Sequence, residues 1–130
     1  MQKLSVAEQE ILYGTSRGLY EAGDYAEAAQ FFTQLVLHEP FQELYWRGLA
    51  SAHQMEEKYQ EALHAWSLVA LLVDSDPLPH FHAAECLLSL NDKPQALKAL
   101  QCAEELLTED QAELREKINL LKEVYVRTTC

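Results

Sequence analysis

Basic residues are scarce in this 130-residue chain: ten lysines and arginines stand against 21 aspartates and glutamates, for a formal net charge of −11. A protein binds nucleic acid largely by setting cations against its phosphates. The balance therefore excludes nucleic acid as a partner and disfavours direct binding to an anionic membrane. Cysteine is also scarce. Cys86, Cys102 and Cys130 are odd in number and form no CxxC pair, which argues against a disulfide framework. Cys86 and Cys102 are expected on the apolar faces of consecutive helices, as small hydrophobes. No apolar run approaches the ~18 residues of a membrane span; the longest, Leu68 to Val73, fits a buried helix. The first ten residues lack an apolar stretch and carry Glu8 and Glu10, so a secretory leader is not expected. There is no glycine-rich phosphate loop, no HExxH and no GxSxG, so the expectation is a non-enzyme with no cofactor. Glycine and proline number four each, and the prolines fall near expected helix ends, which suits an all-helical chain. An apolar content of 48% is that of a globular protein.

What is present is a period. Ala28, Ala62 and Ala96 lie 34 residues apart. Phe32, Trp66 and Leu100 follow one helical turn later, then Leu35, Val69 and Ala103. Tyr25, Tyr59 and Lys93 precede the alanines. A 34-residue period with small and large residues in phase is the signature of the tetratricopeptide (TPR) repeat, a pair of antiparallel helices A and B. The alanine allows helix B to approach helix A closely, and the large residue after it fills the gap to the next unit. No unit buries its apolar face alone, so about three must stack. The expected fold is all-α: one domain over 1–130, with repeats at about 9–42, 43–76 and 77–110 in a right-handed superhelix. A capping helix over about 111–127 closes it.

Helix 1A is predicted from Val6 to Ala22, with Gly23 turning the chain and Asp24 capping helix 1B. Helix 1B ends near His38, ahead of Pro40. Helices 2A and 2B are predicted over Phe41–Met55 and Tyr59–Val73. The turn Glu56-Glu57-Lys58 lacks a glycine and is expected to differ somewhat from the first. Pro77 and Pro79 suit the first turn of helix 3A, and Asp92 is placed to cap helix 3B. Thr108 is the expected cap of a last helix beginning at Glu109, with Leu114, Ile118, Leu121 and Tyr125 as its apolar stripe.

The A helices line the concave side of such an array. The second, fifth, ninth and twelfth positions of each unit face inward. They are Glu10, Tyr13, Arg17 and Tyr20 in the first unit, Leu44, Arg47, Ser51 and Gln54 in the second, and Leu78, Phe81, Glu85 and Leu88 in the third. Large apolar groups in a groove mark a binding site, unless the last helix or a second copy covers them. A carboxylate clamp for acidic chain ends needs lysine, arginine and asparagine on this face. Tyr13 and Arg17, Gly48, Leu78 and His82 stand at the positions in question, so the clamp is absent. His82 and Cys86 are four residues apart, with His80, His53 and His64 as further nitrogen donors. A closed zinc site needs four ligands and no such set is evident, so no metal is expected.

A narrower resemblance rests on specific stretches. Phe81-His-Ala-Ala-Glu-Cys-Leu-Leu88, with Ala96 and Cys102-Ala-Glu-Glu-Leu106, resembles the third repeat of the class II chaperones of bacterial type III secretion, the SycD/LcrH-like translocator chaperones. Leu12-Tyr13, Tyr20, Gly23 and Tyr25-Ala-Glu-Ala28 resemble their first repeat, and Gly48-Leu49 with Tyr59-Gln-Glu-Ala62 their second. The resemblance spans about 9–107. It implies a chaperone of the bacterial cytoplasm that holds an extended N-terminal segment of a hydrophobic translocator in its concave groove. Small pockets would take proline and leucine side chains, and Tyr13, Tyr20, Leu44, Phe81 and Leu88 are the candidates to form them. Homodimerisation stays open, since relatives use a longer N-terminal region for it and about eight residues precede the first repeat here. Arg17 stands where the family has an apolar residue, and would alter one pocket or pair with an acidic group of the cargo. A general TPR scaffold for folded partners is the alternative.

Overall fold

The computed structural model describes residues 3–129, with side chains for 3–124. The described chain is helical: α1 (Val6–Glu21), α2 (Tyr25–His38), α3 (Glu43–Met55), α4 (Tyr59–Leu72), α5 (Leu78–Ser89), α6 (Lys93–Leu106) and α7 (Ala112–Thr129). Each helix packs on the next in the chain, and α1 also touches α3.

The three A-to-B turns are copies of one another. Gly23, Glu57 and Asn91, spaced by 34 residues, have φ of 86°, 62° and 62°. In each turn the following N–H reaches back to a carbonyl five residues earlier: Asp24 to Leu19 at 2.8 Å, Lys58 to His53 at 2.9 Å and Asp92 to Leu87 at 2.8 Å. The left-handed residue also donates to the carbonyl three residues back. This is the Schellman closure of a helix C-terminus, which favours glycine or asparagine at its left-handed position. The second turn, expected to differ, therefore keeps the same geometry and holds a glutamate in a strained conformation.

The caps separate residues that look alike in sequence. Ser5 and Glu8 form a reciprocal capping box, with N–H to oxygen distances of 2.9 and 3.1 Å. Asp92 accepts from the Gln95 N–H at 3.3 Å. Asp24, expected to cap α2, makes no such bond. Helix α3 begins at Glu43, behind Gln42, and not at Phe41, and Phe41 is left exposed. Asp76 accepts from the Leu78 N–H at 2.9 Å ahead of α5. The last helix starts at Ala112, three residues later than expected. Thr108 and Gln111 are tied together before it, the Thr108 N–H donating to the Gln111 side chain at 2.9 Å.

The core follows the period. Ala28, Ala62 and Ala96 are fully buried, as are Leu35, Val69 and Ala103, while Phe32, Trp66 and Leu100 are at most 4% exposed. A further in-phase set, Ser16, Ala50 and Ala84, is also fully buried. Its members sit on the A helices opposite the B-helix alanines, so both sides of each crossing are small. Ser16 satisfies its hydroxyl on the Leu12 carbonyl at 2.7 Å. Ile118 continues this set by another 34 residues and is also fully buried. With Leu114 it packs against Phe81, Ala84, Leu100 and Ala103, so α7 sits where the A helix of a further unit would. A large residue fits there because no B helix crosses it among the described residues. Leu121 joins this contact, whereas the side chain of Tyr125 lies outside the described residues. Cys86 is buried, but Cys102 is exposed, contrary to its expected place on an apolar face. No helix among the described residues is long and apolar enough to cross a membrane.

Candidate functional site

Helices α1 and α3 each turn one face to the concave side. Residues three or four apart share a helix face, and Tyr13, Arg17 and Tyr20 meet Leu44, Arg47 and Ser51 across a hollow of about 270 Å³. These six were all expected in the groove from sequence. Three further residues complete the lining: Glu21 at the rim, Phe32 reaching through from α2, and Gly48 beside it. A Cβ on Gly48 would stand 2.2 Å from the nearest atom of the Phe32 ring. The absent side chain thus brings α3 down onto that ring and leaves the hollow open. The sequence signal for this was a glycine in mid-helix, which costs about 1 kcal/mol against alanine and calls for a packing reason.

Aromatic rings set the walls. Tyr13 meets Phe32 edge-on at 6.1 Å between centroids and Tyr45 at 5.4 Å. Tyr20 meets Tyr25 edge-on at 5.2 Å, and burial, with the neighbouring Tyr25, pushes its phenol above the usual range. The Arg17 guanidinium lies 5.9 Å from the Tyr13 centroid and 3.7 Å from the Glu21 carboxylate. Its side chain is 60% exposed, so this pair contributes little to stability.

Arg47 is held more firmly. It pairs with Glu43 one turn earlier, and its Nη2 lies 2.5 Å from Asp76, in the loop before α5. Burial opposes the charge, but the two carboxylates outweigh it and raise the guanidinium above its ordinary value. Two of its five N–H donors are engaged by these pairs.

Beyond Ser51 the groove becomes polar. The Trp66 indole N–H donates to Gln54 Oε1 at 2.9 Å, and Gln54 Nε2 donates to Glu85 Oε1 at 3.0 Å. The same oxygen lies 2.7 Å from His82 Nδ1, and the His82 ring stacks on Trp66 at 4.5 Å. Burial alone would raise the Glu85 carboxyl, but its bonds to His82 and Gln54 bring it below the usual carboxylate range. Glu85 is thus ionised at neutral pH. Gln54 and Glu85, expected as separate lining residues, are bonded to each other. Leu78 is 38% exposed and Leu88 is half-buried. Phe81, expected as a pocket residue, is 5% exposed and packs in the core with Leu100 and Ile118. It stands beside the inward-facing stripe of α5, and α7 gives it a better apolar contact than the groove does.

Among the described residues no three of His, Cys, Asp and Glu converge as a metal site would require. His82 is engaged with Glu85 and Trp66. The Cys86 thiol is pushed up to about 12 by burial and by the nearby Glu85 charge, so it is a poor thiolate donor.

The site can therefore take an extended chain. Its compact hollow suits one branched apolar side chain, and Arg17, Arg47, Ser51 and Gln54 offer donors to the backbone carbonyls that an extended segment leaves unpaired. Larger, more open hollows of about 460 and 470 Å³ lie between neighbouring helices, one beside Thr33 and Trp46 and its 34-residue counterpart beside Ser67 and His80.

Residues 45–75 match the model of the tetratricopeptide repeat. The backbone superposes with a TM-score of 0.91 on the type III secretion chaperone SycD of Yersinia enterocolitica, solved in complex with a peptide of the translocator YopD. The two are 27% identical, and the match covers 99% of this chain and all of that one. The low calcium response locus protein H (LcrH) of Yersinia pestis is 30% identical over 116 residues, 89% of this chain and 68% of that protein. The chain belongs to the SycD/LcrH family of type III secretion chaperones. A second SycD/LcrH-like structure, PcrH in complex with the chaperone binding region of PopD, is 28% identical with a TM-score of 0.91, and both chains are covered completely. The all-α repeat fold and the family resemblance read from the sequence are thus both found. The period picked out the B-helix core but not the facing set Ser16, Ala50 and Ala84, and the hollow of this member depends on Gly48 and Phe32, which the inward-facing positions alone do not select.

Proposed function

We propose that this chain is a non-enzymatic chaperone that holds an extended segment of a hydrophobic translocator in its concave groove. In doing so it delays aggregation and premature membrane insertion of that partner. The observation that carries the reading is the hollow between α1 and α3, walled by Tyr13, Tyr20, Phe32 and Leu44 and kept open by Gly48. Membership of a family in which SycD and PcrH are solved with translocator segments supports it. The bacterial cytoplasm is where such holding is needed, before secretion.

The groove residues have separate parts. Tyr13, Tyr20 and Leu44 contact the apolar side chain of the cargo, whereas Arg17, Arg47 and Ser51 bond its backbone. Gln54 and Glu85 limit the polar end, and Leu78 and Leu88 continue the surface along α5. The experiment is a fluorescence-anisotropy titration with a labelled peptide carrying a Pro-x-Leu-x-x-Pro segment, beside a control ending in Glu-Glu-Val-Asp. Saturable binding of the first alone, weakened at least ten-fold by Tyr20→Ala, is expected. Binding of neither peptide would favour the alternative, a scaffold for folded partners.

A further inference from the structure

The concave face is apolar at one end and acidic at the other, and the acidic end has an available carboxylate. Glu85 Oε1 is occupied by Gln54 and His82, while the side chain as a whole stays 34% exposed. Asp76 and Glu43 lie on the same side, but both are engaged with Arg47. Arg17 is matched by Glu21. Two arginines thus face four carboxylates, counting Glu85, so the groove is net negative, as is the chain. Of the other titratable groups against Glu85, His82 and Cys86 lie on α5 beside it, and Lys117 of α7 acts on it through space.

We propose that Glu85 reads a basic side chain of the cargo, set a short distance along the extended segment from the apolar residue that fills the α1–α3 hollow. This deepens the groove reading and rests on it. Gln54 lies three residues beyond Ser51 on α3, about 4.5 Å along the helix axis, and Glu85 lies 3.0 Å past its amide. With the reach of the Gln54 side chain between these two steps, the carboxylate stands roughly 10 Å from the hollow, or about three residues of extended chain. A lysine or arginine there meets a charge that the neighbouring amide and imidazole already hold in place. A glutamate at the same point meets repulsion. The groove then selects both for an apolar anchor and for the sign of the residue that follows it.

The test is a set of labelled peptides built on Pro-Ala-Leu-Ala-Ala-Pro with alanine flanks. A single lysine is moved through each position on both sides of the leucine, and a matching set carries glutamate. One register, about three residues from the leucine, is expected to bind about five-fold more tightly with lysine than with alanine, and more weakly with glutamate. Glu85→Gln, which keeps the acceptor for Gln54, should bring the lysine and alanine peptides to equal affinity. Glu116→Gln, an exposed change on α7 away from the groove, should leave the preference intact. With the wild-type protein the preference should shrink as salt is raised, a readout that does not depend on how a variant folds. Equal affinity of the lysine, alanine and glutamate peptides in every register would overturn the role of Glu85 while leaving the groove reading standing. Failure of all the peptides to bind would overturn both.

Discussion

Glycine-to-alanine substitution should change sign between two neighbouring helices. In α3, a Cβ on Gly48 would stand 2.2, 2.4 and 2.6 Å from three atoms of the Phe32 ring. An ordinary contact needs more than a further 1 Å. Phe32 is 2% exposed and backed by Tyr13, so the ring yields only by displacing that neighbour or by filling the hollow. Overpacking of this kind costs about 1–3 kcal/mol, against which alanine recovers about 1 kcal/mol of helix propensity. The net expectation for Gly48→Ala is a loss of about 1 kcal/mol. In α1, by contrast, a Cβ on Gly14 or Gly18 would meet nothing within 4 Å, so Gly14→Ala and Gly18→Ala should each gain about 0.5–1 kcal/mol. Urea unfolding followed by circular dichroism gives the midpoints, and thermal melts should separate Gly48→Ala from Gly14→Ala by several degrees. Phe32→Leu added to Gly48→Ala should cost less than the two single changes summed, because the clash is relieved. The reasoning fails if Gly48→Ala is as stable as Gly14→Ala, since the Gly48–Phe32 approach would then not be a constraint on the fold.

Three further outcomes follow from the packing and charges. Glu57→Gly relieves a left-handed glutamate and should raise stability by about 1 kcal/mol, while Asn91→Gly should gain less, as seen in paired urea titrations. Glu85 is held below its ordinary value in the folded chain. Its contribution is therefore present above the unfolded value near 4.5 and lost as pH falls through the lower folded one. Glu85→Gln should accordingly flatten the acid side of a stability–pH curve while leaving its slope above neutrality unchanged. Arg47→Met leaves Glu43 and Asp76 without their cation and releases the loop ahead of α5. A loss of about 2 kcal/mol is expected, and hydrogen exchange should rise at residues 74–78.

The period made the helix order and most of the core legible because it reports crossings between helices, and crossings tolerate only small residues. Ala28, Ala62 and Ala96 were visible for that reason, and Ser16, Ala50 and Ala84 carry the same information on the facing helix. The second turn was harder to read. Glu57 occupies a left-handed position that the repeat imposes and that its own residue type does not favour, so tertiary packing overrides local preference there. The lining of the α1–α3 hollow was legible where the inward-facing stripe met empty space, at Tyr13, Arg17, Tyr20, Leu44, Arg47 and Ser51. It was misread at Phe81, where α7 supplies an apolar contact that a repeat-by-repeat reading does not contain. Gly48 was noticed for the asparagine it is not, and its meaning required the position of Phe32. Asp24 and Asp92 stand at equivalent places in their turns, yet a single carboxylate bond distinguishes them, and sequence does not encode that difference in any simple pattern.

The most direct test of groove binding is photo-crosslinking of a Pro-x-Leu-x-x-Pro peptide with photo-leucine in place of its leucine, followed by mass-spectrometric mapping of the adducts. Occupation of the hollow gives adducts at its own lining residues on α1 and α3: Tyr13, Arg17, Tyr20, Leu44, Arg47 and Ser51. Adducts on α2 and α4, beside Thr33, Gln60 and Ser67, would place the cargo on the opposite side of the array and contradict the concave groove as the chaperone site.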